Sequence, residues 1–250
     1  KTLAFLGLAL IPTLGFAEPD KDDINKDEAK NRKIVVFQPG TSDDAKAGAV
    51  EKAGGKLGKH LGSINAAAAQ FPNENAAQAT ASDPSVLRID EDLIVEATVV
   101  KDSANEAANA QAKAQGSAAP QPVQTTPWGI ARVKAPEAWT ASEGTGVNVC
   151  VIDTGIDLTH PDLKDNIKGG INTINPLKSA NDDNGHGTHV AGTIGAVNNT
   201  IGVVGVGPKV NLLAVKVLSR SGSGWLSDII EGLQWCAQNN GKVANLSLGS

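Results

Sequence analysis

A chain of 250 residues with 40% hydrophobic and 20% charged content can bury one large core or two smaller ones. A net charge of −5, with no dense basic run, argues against a nucleic-acid partner. Beyond the N-terminus no stretch is apolar for the roughly eighteen residues of a membrane-spanning helix, so no membrane partner is expected once a leader is removed.

The leader is residues 1–17. Lys1 gives a positive start, an apolar run follows from Leu3 to Leu14, and Gly15-Phe16-Ala17 offers a small-x-small cleavage site. The pattern is that of a secretory signal peptide, and the product is expected outside the cell. The chain contains no Met, so residue 1 is not taken as the natural start. Residues 18–32 form a charged leader with no apolar periodicity.

Residues 33–102 form a first unit. Lys33-Ile34-Val35-Val36-Phe37 predicts a strand, and Thr41-Ser42 caps a helix that Gly54-Gly55 stops. Residues 56–71 predict a second extended stretch, residues 73–81 a helix, and residues 86–100 a strand pair around the acidic turn Asp90-Glu91-Asp92. The order suits a small α+β domain of about seventy residues, a size of marginal independent stability. Residues 103–123, rich in Ala, Gln, Asn and Pro, have linker composition.

Residues 124–250 change character. Apolar strands are expected at residues 148–152, 210–218 and 243–248, and Leu226, Ile229, Ile230, Leu233 and Ala237 recur at helical spacing. Continuous apolar strands alternating with helices predict an α/β fold, a parallel sheet with helices on both faces. Cys150 falls in the first of these strands and Cys236 in the helix. Both are expected as small buried hydrophobes, a single disulfide being the alternative in an exported chain.

Two segments carry chemistry. Val151-Ile152-Asp153-Thr154-Gly155 puts a carboxylate at the carboxyl end of an apolar strand, the edge of an open α/β sheet where ligands bind. Gly185-His186-Gly187-Thr188-His189 puts an imidazole at the start of a small-residue helix, its flanking glycines expected to clear room for substrate. A serine hydroxyl needs a neutral imidazole to take its proton and a carboxylate to hold that imidazole's tautomer. Asp153 and His186 suit those roles. His186 and His189 lack the i, i+4 spacing of a zinc helix, and His189 is expected to be structural.

These segments, in this order, closely resemble the Asp and His signatures of the subtilisin-like serine proteases, the subtilases, and the similarity runs over nearly all of residues 124–250. The resemblance implies a subtilisin-like α/β domain, incomplete here, preceded by a small α+β, ferredoxin-like propeptide domain. It implies a secreted, monomeric serine endopeptidase zymogen with polypeptide substrates and its own propeptide, residues 33–102, as intramolecular inhibitor and chaperone. Propeptide cleavage is expected within the linker, shortly before Gln124. Gly222, Ser223 and Gly224, with Ser247, Leu248 and Gly249, resemble two backbone edges that take substrate as an added strand. A structural calcium ion is implied at Gln124, Asp162 and Asn199 and at the carbonyls of Val197, Ile201 and Val203, an all-oxygen set suited to a hard cation.

The family's Gly-Thr-Ser-x-Ala nucleophile motif is expected beyond residue 250, together with an asparagine of the oxyanion hole. Gly40-Thr41-Ser42 precedes Asp153 and is better explained as a helix cap. On this view the 250 residues do not themselves hydrolyse peptides. The alternative is a complete, catalytically dead product that acts as a protease inhibitor or folding helper through residues 33–100.

Overall fold

The computed structural model describes residues 29–98 and 121–249. The expected signal peptide, most of the charged leader and most of the linker lie outside those residues.

The first unit runs β1 (Arg32–Phe37), α1 (Asp43–Glu51), β2 (Lys56–Leu61), β3 (Ala66–Gln70), α2 (Glu74–Ala81) and β4 (Val86–Glu91). Its antiparallel sheet has the order β2-β3-β1-β4, the ferredoxin-like arrangement. Ser42 and Asn73 cap the two helices, their side-chain oxygens accepting from the amides of Ala45 and Ala76 at 3.3 and 3.0 Å. Two expectations need correction. Residues 56–71 are a hairpin rather than one extended stretch, because Asn65 adopts a left-handed conformation at φ 50° and reverses the chain. Residues 86–100 are not a strand pair: β4 joins this sheet, and β5 (Ile94–Ala97) leaves it for another.

The second unit contains α3 (Trp128–Arg132), α4 (Ala135–Ala138), β6 (Asn148–Asp153), β7 (Ile167–Asn172), α5 (His186–Gly195), β8 (Asn211–Lys216), β9 (Ser223–Trp225), α6 (Leu226–Gln238), β10 (Val243–Asn245) and β11 (Leu248–Gly249). Four of its strands form a parallel sheet in the order β10-β6-β8-β7. Side chains alternate across it. Val149, Val151, Leu212 and Ala214 pack toward Ala191, Val190 and Ile194 of α5. Cys150, Ile152, Leu213 and Val215 pack toward Ile229 and Cys236 of α6. A sheet buried on both faces explains the unbroken apolar runs. The sequence did not announce β7, because its paired glycines look like a turn. Gly170 is needed where the strand approaches β8, since a Cβ there would run into the carbonyl of Ala214. The expected strand at residues 243–248 is two short strands in different sheets.

The cysteines are joined: Cys150 and Cys236 form a disulfide with their Cα atoms 6.1 Å apart. The expectation of two separate thiols fails because alternation turns Cys150 to the face that α6 covers, and the buried stripe of α6 brings Cys236 onto it.

The units dock through α6. One face of the first sheet packs Val35 and Phe37 on its own helices at Ala49, Val50 and Ala77. The other face packs Ile34, Val36, Leu61 and Ala66 against Leu226 and Ile230 of α6. Asp92 caps α6: it accepts from the amide and hydroxyl of Ser227 at 2.8 and 2.7 Å and holds Arg32 at 2.7 Å. Lys59 reaches across to Asp228 and Glu231 and donates to the carbonyl of Thr173 at 2.7 Å. Burial alone would lower the Lys59 pKa, but the two carboxylates more than offset it and hold it above 10.5. The stabilisation is therefore complete below the unfolded lysine's pKa and fades as pH rises through the folded one. Lys59→Ala is expected to cost about 2–4 kcal/mol of docking by removing the cation between two carboxylates. Faster amide exchange across β1–β3, with α5 unaffected, would report it; unchanged exchange would refute it.

Candidate active site

The site grows from the alternation of β6. Asp153 shares the parity of Val149 and Val151, so its side chain emerges on the α5 face at the carboxyl end of the strand, fully buried. Its Oδ1 accepts from the amide of Thr154 at 2.7 Å and pairs with His186 Nδ1 at 2.8 Å. Its Oδ2 is buried with no hydrogen-bond partner among the described residues. Burial pushes the Asp153 pKa up; the hydrogen bonds from His186 and Thr154 pull it back only in part.

His186 is the first residue of α5, and Gly185 before it takes φ 111°, a conformation that disfavours side chains. Gly187 has a different purpose from the one expected. A Cβ there would collide with the carbonyl of Gly155 and crowd Asp153, so it permits α5 to sit on the strand exit rather than admitting substrate. The expected structural role of His189 is not what α5 shows: its side chain is exposed.

Two residues that sequence reasoning missed organise this corner. Asp182 Oδ1 accepts from Thr154 Oγ1, the Asn184 amide and the Gly185 amide at 2.9, 2.9 and 3.0 Å. Its Oδ2 accepts from the Thr188 amide and hydroxyl at 3.0 and 2.6 Å. Burial opposes its charge, yet these donors outweigh burial and hold the Asp182 pKa below 3.8. Its contribution is present above the unfolded carboxylate's pKa and is lost as pH falls through the lower folded value. Wild type is thus expected to be more resistant to urea than Asp182→Asn at neutral pH, with the gap closing below about pH 3.8; a gap independent of pH would refute this. Buried Lys216, at the end of β8, donates to the carbonyls of Thr154 and Leu218 at 2.8 and 2.9 Å and to Asp183 at 2.7 Å. A lone lysine closing an apolar strand and the paired aspartates of Asn181-Asp182-Asp183-Asn184 were the available signals.

The two backbone edges expected to bind substrate face each other, and β5 lies between them. Val95 is opposite Gly224 and Glu96 opposite Ser223 on one side; Ala97 is opposite Leu248 and Glu96 opposite Gly249 on the other. The Ala97 amide donates to the Gly222 carbonyl at 2.8 Å and the Thr98 amide to the Ser247 carbonyl at 3.0 Å. The Thr98 carbonyl lies 3.2 Å from His186 Nε2. The cleft thus holds β5 by strand addition, and the end of that strand meets the imidazole.

The residues expected around calcium also converge. Buried Asp162 takes Asn199 Nδ2 on Oδ1 at 2.8 Å and the Val203 amide on Oδ2 at 2.9 Å. Gln124 Oε1 accepts from the Asn199 amide at 2.6 Å. Among the described residues none donates a hydrogen bond to the carbonyls of Val197, Ile201 or Val203. The donor set is all oxygen with one carboxylate, which fits a hard divalent cation.

Residues 144–250 match the Subtilase family model. The chain is similar to subtilisin Savinase of Lederbergia lenta, 58% identical over 128 residues covering 51% of this chain and 46% of that protein. It is similar to an alkaline protease of Shouchella clausii, again 58% over 128 residues, covering 51% and 33%. Subtilisin E of Bacillus subtilis (strain 168) is 39% identical over 250 residues, covering 97% of this chain and 58% of that protein. The chain thus spans about half the length of the curated relatives it matches. With identity to subtilisins running along nearly its whole length and an aspartate–histidine couple at the carboxyl edge of a parallel sheet, the chain belongs to the subtilase family.

Proposed function

We propose that this chain is the N-terminal part of a secreted serine endopeptidase zymogen whose nucleophile is supplied by residues after Ser250. The observation that supports it most is the Asp153–His186 couple with Nε2 directed at a peptide strand held between β9 and β11. Asp153 keeps the proton on Nδ1 and steadies the imidazolium that forms. His186 Nε2 takes the proton of the serine hydroxyl as the acyl-enzyme forms and delivers it to the departing amine. Residues 33–102 act as a propeptide that occupies the cleft through β5.

Two surfaces suit continuation of the fold beyond residue 250. The sheet edge at β10 exposes Val243, and the groove beside α5 exposes Trp128, Val133 and Val206. A calcium ion would be held by Gln124, Asp162, Asn199 and the carbonyls of Val197, Ile201 and Val203, where it would offset the Asp162 charge and link the segment around Gln124 to the loop after α5; a rise in melting temperature with calcium over chelator tests this, and no rise would refute it.

The deciding experiment is peptide hydrolysis by the full-length precursor. Activity that a serine-directed acylating reagent and His186→Ala each abolish supports the reading. Activity that survives either treatment, or a full-length protein with no activity, overturns it.

A further inference from the structure

We propose that Trp225 is a specificity-determining residue of the mature enzyme: it selects substrates with a cationic side chain, arginine above all, at the fifth residue before the bond to be cut. This rests on the endopeptidase reading above and adds a side-chain preference to that site. Counting back from Thr98, whose carbonyl lies 3.2 Å from His186 Nε2, the fifth residue is Ile94, and Ile94 lies directly opposite Trp225 in the β5–β9 ladder. A peptide that adds to β9 in the register of β5 places its own fifth residue there.

The pleat separates this position from the apolar one beside it. Val95 packs in the cluster of Val217, Leu218 and Leu226 and is 6% exposed. Its neighbours Ile94 and Glu96 therefore point to the other face, Ile94 on the side of Trp225 and Glu96, exposed, on the side of Ser223. On that face Trp225 is only 4% exposed, and the group over its ring is Arg32 of β1, with the guanidinium carbon 4.6 Å from the ring centroid. Arg32 is held there by Asp92 at 2.7 Å and donates to the Ser227 hydroxyl at 3.4 Å.

Arg32 and Asp92 both belong to the first unit, so both leave when that unit leaves the cleft. The indole face is then bare. Asp228 and Glu231, in the first two turns of α6, lose the cation of Lys59 in the same event. The mature face presents an electron-rich ring beside two carboxylates. A guanidinium suits both, stacking on the indole as Arg32 does and drawing on the field of the carboxylates. Lysine brings the charge without the plane. Glutamate meets the negative face of the ring and two like charges, and leucine gains contact area alone. The first unit carries Ile94 at this position because its own cation reaches the ring from β1 instead of from the strand in the cleft.

The test uses the mature full-length enzyme and peptides with Val-Glu-Ala-Thr before the bond and Arg, Leu or Glu ahead of those four, otherwise identical. In wild type, kcat/KM for the Arg peptide is expected to exceed that for the Leu peptide about fivefold and that for the Glu peptide about twentyfold, mainly through KM. The gap to the Glu peptide is expected to narrow as salt is raised. Trp225→Leu is expected to bring the Arg-to-Leu ratio close to one. Trp225→Phe, the milder change should the leucine variant not fold, is expected to lower it to about two. Each ratio is taken on one preparation, so a general loss of activity in a variant cancels. Equal rates of wild type on the Arg and Leu peptides overturn the proposal and leave the endopeptidase reading intact. A wild-type ratio that survives in Trp225→Leu overturns it by assigning the preference to the carboxylates alone. A wild-type enzyme that hydrolyses none of the peptides, nor any other, overturns both.

Discussion

Asp153→Asn in the mature full-length enzyme is expected to lower kcat about 10⁴-fold while leaving the fold no less stable. An amide cannot carry the charge that steadies the imidazolium, and it can offer His186 the wrong atom, so Nε2 is no longer reliably a base. The stability half follows from the pKa. Burial raises the Asp153 pKa above 3.8, so the folded state holds the carboxylate charge at a cost once pH exceeds the unfolded value. A neutral amide of the same shape removes that cost. Turnover and urea midpoint measured on the same preparations separate the two effects. A loss of less than tenfold in kcat would remove Asp153 from the proposed mechanism. A large fall in urea midpoint would show that the carboxylate holds the fold and would make any loss of rate uninformative.

The second large effect is the disulfide. Cys150 and Cys236 are 86 residues apart, and cross-linking a loop of that length is expected to stabilise by about 4–5 kcal/mol through the unfolded chain. The loop spans Asp153, His186 and β9, so the bond fixes the sheet and α6 to each other on either side of the couple. Replacing both cysteines by alanine, rather than relying on a reductant to reach two buried sulfurs, is expected to lower the urea midpoint by the equivalent of most of that energy. The m-value should rise as the unfolded state expands. A double variant as stable as wild type would show that packing of α6 on β6 suffices.

Much of this was legible in the residues themselves. The strand ending in Asp153 and the helix starting at His186 could be read because both depend on local signals: an apolar run stopped by Thr154-Gly155, and a small-residue helix opened by a glycine. The residues of both backbone edges and of the oxygen cluster were legible through the family resemblance. Local patterning also specified the helix cap at Ser42 and the parallel sheet covered on two faces. Even the full burial of β1 was hinted at, since Ile34-Val35-Val36-Phe37 does not alternate and so needs a cover on each face.

Only the tertiary structure decided what depends on pairs distant in sequence. Whether Cys150 meets Cys236 depends on which face of the sheet α6 covers, and parity alone cannot choose between them. That Asp90-Glu91-Asp92 is no hairpin turn follows from α6, whose N-terminal Ser227 amide takes the Asp92 carboxylate and leads the chain on toward β5. Asp182 and Lys216 look like ordinary loop and strand-end charges until folding surrounds one with five donors and the other with three acceptors. Propensity and periodicity act over a few residues and fix the elements. Hydrogen-bond satisfaction and burial act across the whole chain, and they chose which strand fills the cleft and which carbonyl meets His186.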